Sequence, residues 1–251
     1  LEDLDADGRY EKATVFAEHL GFPSSVMPWN GGVLVTAAPD LLFLRDTNGD
    51  GRADERHVLF TGFGTGNQQL RVNGLTWGLD GWVYGANGRS DGEIRAVEQL
   101  EGTVWSRVPG PASGSTNAPG ATQSLRGRDF RFRPGIPLLE TLAGRSQFGL
   151  ARDDWGGRFL SWNTIPLRHE VFPDHFLAGS PELSGEVLVD VLPPGDSGEV
   201  FPLTPAPKVF NNESGSHFNA LSGLHIFRGD ALESDFYGNA FVGESLRNLV
   251  H

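Results

Sequence analysis

An all-β fold of several small antiparallel sheets in series is predicted for this chain by three observations. An acidic loop occurs twice, at Asp3-Leu4-Asp5-Ala6-Asp7-Gly8 and Asp46-Thr47-Asn48-Gly49-Asp50-Gly51, forty-three residues apart. Short apolar runs such as Leu41-Leu42-Phe43-Leu44 alternate with turn residues, with 34 Gly and 16 Pro among 251 residues. No stretch sustains the 3.6-residue apolar period of an amphipathic helix.

Each acidic loop places oxygen-bearing side chains at positions 1, 3 and 5, a glycine at 6 and a further acid at 9 (Asp3, Asp5, Asp7, Glu11; Asp46, Asn48, Asp50, Asp54). Alternate side chains then converge on one point, the arrangement a hard cation such as Ca²⁺ requires. The bidentate Glu of an EF-hand is missing at position 12, where Thr14 and His57 stand. A strand-like run also precedes the second loop, so the loops read as Ca²⁺-binding turns between strands. The alternative is a pair of Asx-rich turns that bind no metal.

After the loops come Val15-Phe16-Ala17 and Gly31-Gly32-Val33-Leu34-Val35-Thr36, then Val58-Leu59-Phe60-Thr61 and Gly81-Trp82-Val83-Tyr84-Gly85. Trp155-Gly156-Gly157-Arg158-Phe159-Leu160 leading to His169 matches Tyr237-Gly238-Asn239-Ala240-Phe241-Val242 leading to His251, eighty-two residues later. A repeat of roughly 40–50 residues with a few short strands each is the pattern of a β-propeller. About four blade cores are expected, near residues 30–45, 80–95, 156–171 and 238–251, in one domain over 1–251. Residues 109–128, rich in Gly, Ser, Pro and Ala, are expected to be an insertion between blades. Leu1 directly precedes the first acidic loop and His251 ends a strand-like run. The segment is therefore expected to be cut at both ends from a propeller of about six blades.

The chain has no Cys, which removes disulfides, thiolate nucleophiles and Cys-ligated metals from consideration. A net charge of −12 argues against nucleic acid and anionic membrane as partners. No run approaches the ~20 apolar residues of a membrane helix. Acidic surface and calcium-type loops together suit the periplasm or the extracellular space.

The stretch Gly66-Asn67-Gln68-Gln69-Leu70-Arg71-Val72-Asn73-Gly74-Leu75-Thr76-Trp77-Gly78-Leu79-Asp80-Gly81-Trp82-Val83-Tyr84-Gly85-Ala86-Asn87-Gly88 resembles propeller proteins of the soluble glucose/sorbosone dehydrogenase type. Asp129-Phe130-Arg131-Phe132-Arg133-Pro134, Gly144-Arg145-Ser146-Gln147-Phe148-Gly149 and Gly238-Asn239-Ala240-Phe241-Val242 are similar to a planctomycete-type branch called the membrane-bound dehydrogenase domain. The resemblance implies oxidation of a sugar or alcohol carbon with pyrroloquinoline quinone (PQQ) as hydride acceptor, Ca²⁺ polarising the quinone and a His as general base. It also implies a sugar or small polyol as partner and an electron-accepting cytochrome domain. By position, Arg145 matches the Arg of an Arg-Asn-Pro-x-Gly cofactor motif, with Ser146 and Gln147 replacing Asn and Pro. Leu70 stands where the resemblance places the base, and leucine accepts no proton.

His217, ahead of a strand pattern, is the substitute candidate for the base, with a structural role as the alternative. Arg145, Gln147, Arg71 and Asn73 form the candidate cofactor-binding set, because guanidinium forks and amides suit carboxylates and hydroxyls. Gln68, Gln69 and Asn87 could add neutral donors and acceptors. His169 and His251 recur at equivalent places and read as packing elements between strands. Glu244 could act as acid or base in a central channel. Trp29, Trp77, Trp82 and Trp155 adjoin glycine turns and are expected mainly in the core, with sugar stacking as the alternative. Three function classes follow: a PQQ-dependent sugar or alcohol dehydrogenase-like propeller with structural calcium; a non-catalytic calcium-stabilised propeller binding carbohydrate or a protein; and a carbohydrate-active hydrolase or lyase on the same scaffold.

Overall fold

A computed structural model describes residues 1–100, 122–173, 187–192, 198–201 and 216–251. These residues form seventeen strands in four antiparallel sheets, none closed on itself. The first sheet begins as a meander of β1 (Ser25–Trp29), β2 (Gly32–Ala37), β3 (Asp40–Arg45) and β4 (Glu55–Phe63). Its β1–β2 turn is Asn30-Gly31, both at positive φ (48° and 73°), the two-residue geometry that matches strand twist. The second sheet orders β5 (Asn73–Trp77), β6 (Val83–Ala86), β9 (Asp129–Arg133) and β10 (Leu138–Leu142) from one edge to the other. The third runs β11 (Leu150–Arg152), β12 (Arg158–Leu160), β13 (Arg168–Glu170) and β14 (Leu188–Asp190), and the fourth β15 (Leu221–Ile226), β16 (Ala240–Glu244) and β17 (Leu249–Val250).

Alternation in β3 explains how the sheets are layered. Leu41 and Phe43 point into a core shared with Phe130, Phe132 and Val83 of the second sheet. Leu42 and Leu44 point the other way, onto Phe16, Ala17 and Leu20. The period-2 side-chain direction of a strand thus divides one apolar run between two cores. The first strands of successive sheets lie side by side, β1 against β5, β5 against β11, and β11 against β15.

One expected unit is divided. The stretch near 80–95 contributes β6 to the second sheet, but β7 (Gly92–Ala96) pairs with β4 and extends the first sheet, followed by β8 (Thr122–Ser124). The chain reverses through Gly88, Arg89, Asp91 and Gly92, all at positive φ. Its landing site is bare: a Cβ on Gly62 would lie 2.0 Å from the Glu93 carbonyl oxygen, and one on Gly64 2.2 Å from that of Ser90. Of the expected insertion, residues 109–121 lie outside the described residues, and its end forms β8.

The tryptophans correct the core expectation in part. Trp82 is buried and Trp29 packs against the main core, whereas Trp155 is 87% exposed. Its turn explains this: Asp153 accepts the backbone N–H of both Trp155 and Gly157, so the loop closes beneath the indole and pushes it outward. His169 lies opposite Phe159 and stacks on it at 4.7 Å, and His251 meets the Phe218 ring at 5.2 Å.

Candidate functional site

The segments leading into the four first strands converge at one end of the sheets. They line two adjoining clefts of about 370 and 340 Å³ that share Phe148 and Ser222. One cleft is bordered by Ser24, Gln68, Arg71 and Asn73, the other by Gln69, Gln147, Asn163 and Asn219. A 3-10 turn, Gln68–Leu70, starts the second approach, with the Asn67 side chain accepting the Gln69 N–H. Leu70 ends that turn half-buried.

Arg71 lies over the Phe22 ring at 5.0 Å and donates to the carbonyls of Gly21 (3.3 Å) and Thr65 (2.9 Å). Asn73 ties two approaches together, its amide donating to Arg71 O (2.8 Å) and Gln147 O (2.7 Å). Gln147 is 4% exposed, and its side-chain oxygen accepts from Arg89 Nη1 (3.2 Å) and Asn163 N (3.4 Å). Arg145 turns away, donating to Arg89 O (3.0 Å) and pairing with Asp91 (3.1 Å), while its own carbonyl accepts from the Trp162 indole. The structure therefore brings Arg71, Asn73 and Gln147 to the clefts and leaves Arg145 outside their described lining.

The two groups considered for acid–base work are placed elsewhere. His217 is exposed, in an isolated bridge with Glu199, and does not line either cleft. Glu244 is buried and accepts three backbone N–H groups, from Asn219 (2.7 Å), Ala220 (2.9 Å) and Leu246 (3.0 Å). It fastens the approach to β15, a role that replaces the channel acid expected from sequence. Among the described residues the lining of both clefts holds one cation, Arg71, and no carboxylate or imidazole.

A buried network that the sequence reading missed links the second and third sheets. Asp129 is 0% exposed and accepts from Asn87 N (2.9 Å), Ser146 N (2.9 Å), Ser146 Oγ (2.5 Å) and Arg158 Nη1 (3.2 Å). Arg158, 1% exposed, also grips Glu170 through Nε and Nη2, both at 2.8 Å. Burial pushes the Asp129 carboxyl above the usual carboxylate range, opposed by the Arg158 charge and the hydrogen bonds it accepts. Burial alone would lower Arg158, but the hydrogen bond to Glu170 and two nearby carboxylates outweigh it and hold the guanidinium charged. The signal available was the Asp129-Phe130-Arg131-Phe132-Arg133 alternation, which puts charge on one face of a strand flanked by others.

The two acidic loops are wired alike. In each, position 1 accepts the N–H of position 6 (Gly8 to Asp3, 2.9 Å; Gly51 to Asp46, 2.8 Å). Position 3 accepts from position 5 (Asp7 to Asp5, Asp50 to Asn48), position 5 from position 7 (Arg9 to Asp7, Arg52 to Asp50), and position 9 from position 2 (Leu4 to Glu11, Thr47 to Asp54). The second loop joins β3 to β4 with Arg45 opposite Glu55, and the first is closed by an isolated bridge of Glu2 with Lys12, the ion pair reversed in sign (2.7 and 2.8 Å). One oxygen from each of Asp3, Asp5, Asp7 and Glu11 lies within 4.8 Å of the others. Asp3 Oδ1 is buried without a hydrogen-bond partner. The N–H groups of Gly51 and Gly49 hold the Asp46 carboxyl below its ordinary value, and the Thr47 hydroxyl and N–H do the same for Asp54.

The model of the family described as Domain of unknown function (DUF7133) matches the chain over residues 1–251. No curated protein and no solved structure matches it.

Proposed function

The chain belongs to the DUF7133 family, and on that footing we propose that it is a calcium-braced β-propeller that binds a small polyhydroxylated ligand without itself supplying the acid–base chemistry of a reaction. The propeller reading is supported by the side-by-side run of β1, β5, β11 and β15, with each sheet fanning outward from its first strand. The ligand reading is carried by one observation: the approaches to those strands converge on clefts lined by Gln68, Gln69, Asn73, Asn163 and Asn219 beside a single guanidinium, Arg71. Neutral amides donate and accept in the manner sugar hydroxyls need, and Arg71, whose Nη atoms serve the Gly21 and Thr65 carbonyls, adds a positive charge beside them. Titration with glucose and sorbitol, followed by saturation-transfer NMR, tests this. Binding in the millimolar range is expected, weakened about tenfold by Arg71→Ala; no transfer from either polyol at about 10 mM would overturn it.

A dehydrogenase reading has one observation in its favour, since Arg71, Asn73 and Gln147, three of the four residues assigned to cofactor binding, meet at these clefts. PQQ would supply hydride acceptance if bound there. The fit is incomplete, because Arg145 is committed to Asp91 and the described lining offers no proton acceptor. Reconstitution with PQQ and Ca²⁺ in a dye-coupled assay decides between the readings. Turnover that His217→Ala abolishes would establish the dehydrogenase, and no turnover is the expected result.

Calcium fits the first loop, whose four acids converge and whose Asp3 Oδ1 lacks a donor. In the second loop Asp46, Asn48, Asp50 and Asp54 would hold the ion through the same wiring. Free Ca²⁺ at a hundred times Kd contributes about 2.7 kcal/mol per site, equivalent to a Tm rise of roughly 5–10 °C that EDTA reverses. Terbium bound at the first loop should luminesce through Tyr10, and Asp3→Asn should abolish that signal. Because Asp46 and Asp54 are depressed, their stabilising contribution is present above the ordinary value of 3.8 and is lost as pH falls through their folded values. The second loop's share of the Ca²⁺-dependent rise in Tm should therefore fade as pH falls through those lowered values. A Tm indifferent to Ca²⁺ at neutral pH would remove calcium from the account.

A further inference from the structure

A second recess lies between the second and third sheets and shares no lining residue with the clefts above. It encloses about 200 Å³ and is lined by Tyr84, Arg131, Arg152, Trp155, Arg158 and His169, with one carboxylate, Glu170, which is engaged by Arg158. Its three guanidiniums are not equivalent. Arg131 is held by Asp80 (3.1 Å) and Glu140 (2.7 Å), and Arg158 by Asp129 and Glu170. Arg152 has no carboxylate within ion-pair distance among the described residues. It lies over the Tyr84 ring at 4.1 Å and donates Nη2 to the carbonyl of Gly156. Among the described residues, Arg152 thus stands without an ion-pair partner at the wall of a recess in a protein of net charge −12.

Beside that arginine is the indole of Trp155, 87% exposed and held on a turn whose backbone is fixed by Asp153. Gly156 separates the two groups: a Cβ there would come within 3.5 Å of Arg152 Nη2 and 3.4 Å of the Leu79 side chain. An exposed flat aromatic next to an uncompensated guanidinium, over a recess smaller than the ~300–1,000 Å³ of ordinary ligand pockets, is dimensioned for a single ring bearing an anionic group. We propose that this recess binds an anionic sugar unit, a pyranose bearing a carboxylate or a sulfate ester, with its ring on Trp155 and its anionic group on Arg152. The apolar ring face replaces water on the indole, and the guanidinium takes two oxygens of the anion through its planar fork. Long-range repulsion from the acidic surface is screened beyond about 8 Å at physiological ionic strength, so the local charge governs binding.

Tryptophan fluorescence and NMR titration with D-glucuronate, glucose 6-sulfate, D-glucose, acetate and an oligoglutamate peptide test the assignment. Both anionic sugars are expected to bind about tenfold or more tightly than glucose or acetate, since only they engage ring and charge together. Trp155→Ala, which removes an exposed side chain, should weaken both about tenfold with Tm unchanged, and Arg152→Lys should erase the preference for glucuronate over glucose. If Arg152→Lys lowers Tm, the ligand series and Trp155→Ala still decide the matter. Equal binding of glucose and glucuronate, affinity indifferent to Trp155, or binding of oligoglutamate in place of the sugars would each overturn the proposal.

Discussion

Replacing Arg158 by Met should destabilise the folded protein by about 3–5 kcal/mol, because it strands two carboxylates in a site from which water is excluded. Asp129 and Glu170 would keep their places on β9 and β13 while losing the one guanidinium among the described residues that both contact. The shortened side chain also frees the Ala143 carbonyl, which Arg158 Nη2 now satisfies. Urea denaturation at neutral pH measures the loss. Its pH dependence identifies the cause. With the cation gone, the folded-state value of Asp129, already raised by burial, rises further. Such a group favours folding most below the unfolded value and loses that contribution as pH rises through the folded value. The variant should therefore recover stability as the pH is lowered from neutral towards the carboxylate range. Adding Asp129→Asn and Glu170→Gln to Arg158→Met should restore most of the loss, since a neutral site of similar shape has no stranded charge. A single variant costing under about 1 kcal/mol would show that the network is hydrated and unimportant.

Phe130→Ala is expected to cost a similar amount, about 3–5 kcal/mol, from a different source. The ring is fully buried, meets Phe63 at 5.2 Å and Phe132 at 6.2 Å, and lies on the bare backbone of Gly85. Its removal leaves a cavity bounded by two sheets, which strand pairing on either side prevents from collapsing. The reciprocal change is informative. A Cβ on Gly85 would stand 2.3 Å from the Phe130 ring, so Gly85→Ala forces the ring aside and overpacks the core by about 1–3 kcal/mol. The double variant should cost clearly less than the two separately, because the new methyl enters the vacated space. Additive losses would mean that the two positions do not share a contact.

What the sequence disclosed was local. The acidic loops were readable because every hydrogen bond within them spans at most seven residues, so spacing alone carries their geometry. The strand β3 was readable from Leu41-Leu42-Phe43-Leu44 standing between turns, whereas its division between two cores emerged only from the packing of its two faces. What remained hidden was non-local. Asp129 meets Arg158 across 29 residues and two sheets, and no spacing announces such a pair. Arg71, Asn73 and Gln147 were identified, but where their side chains go depends on carbonyls they happen to reach, Gly21 and Gln147 among them. Trp155 was misjudged because a tryptophan beside glycines reads as core, and only the closure of its turn by Asp153 reveals that it faces outward.

The course of β7 carries a mechanical consequence. The polypeptide leaves the second sheet after β6, contributes β7 and β8 to the edge of the first, and returns to the second at β9. These two layers are therefore laced together, and neither can peel away while the other stays intact. Amide exchange in β4 and β9 should accordingly rise and fall as a single step, and a nick placed between them would release no independently folded half.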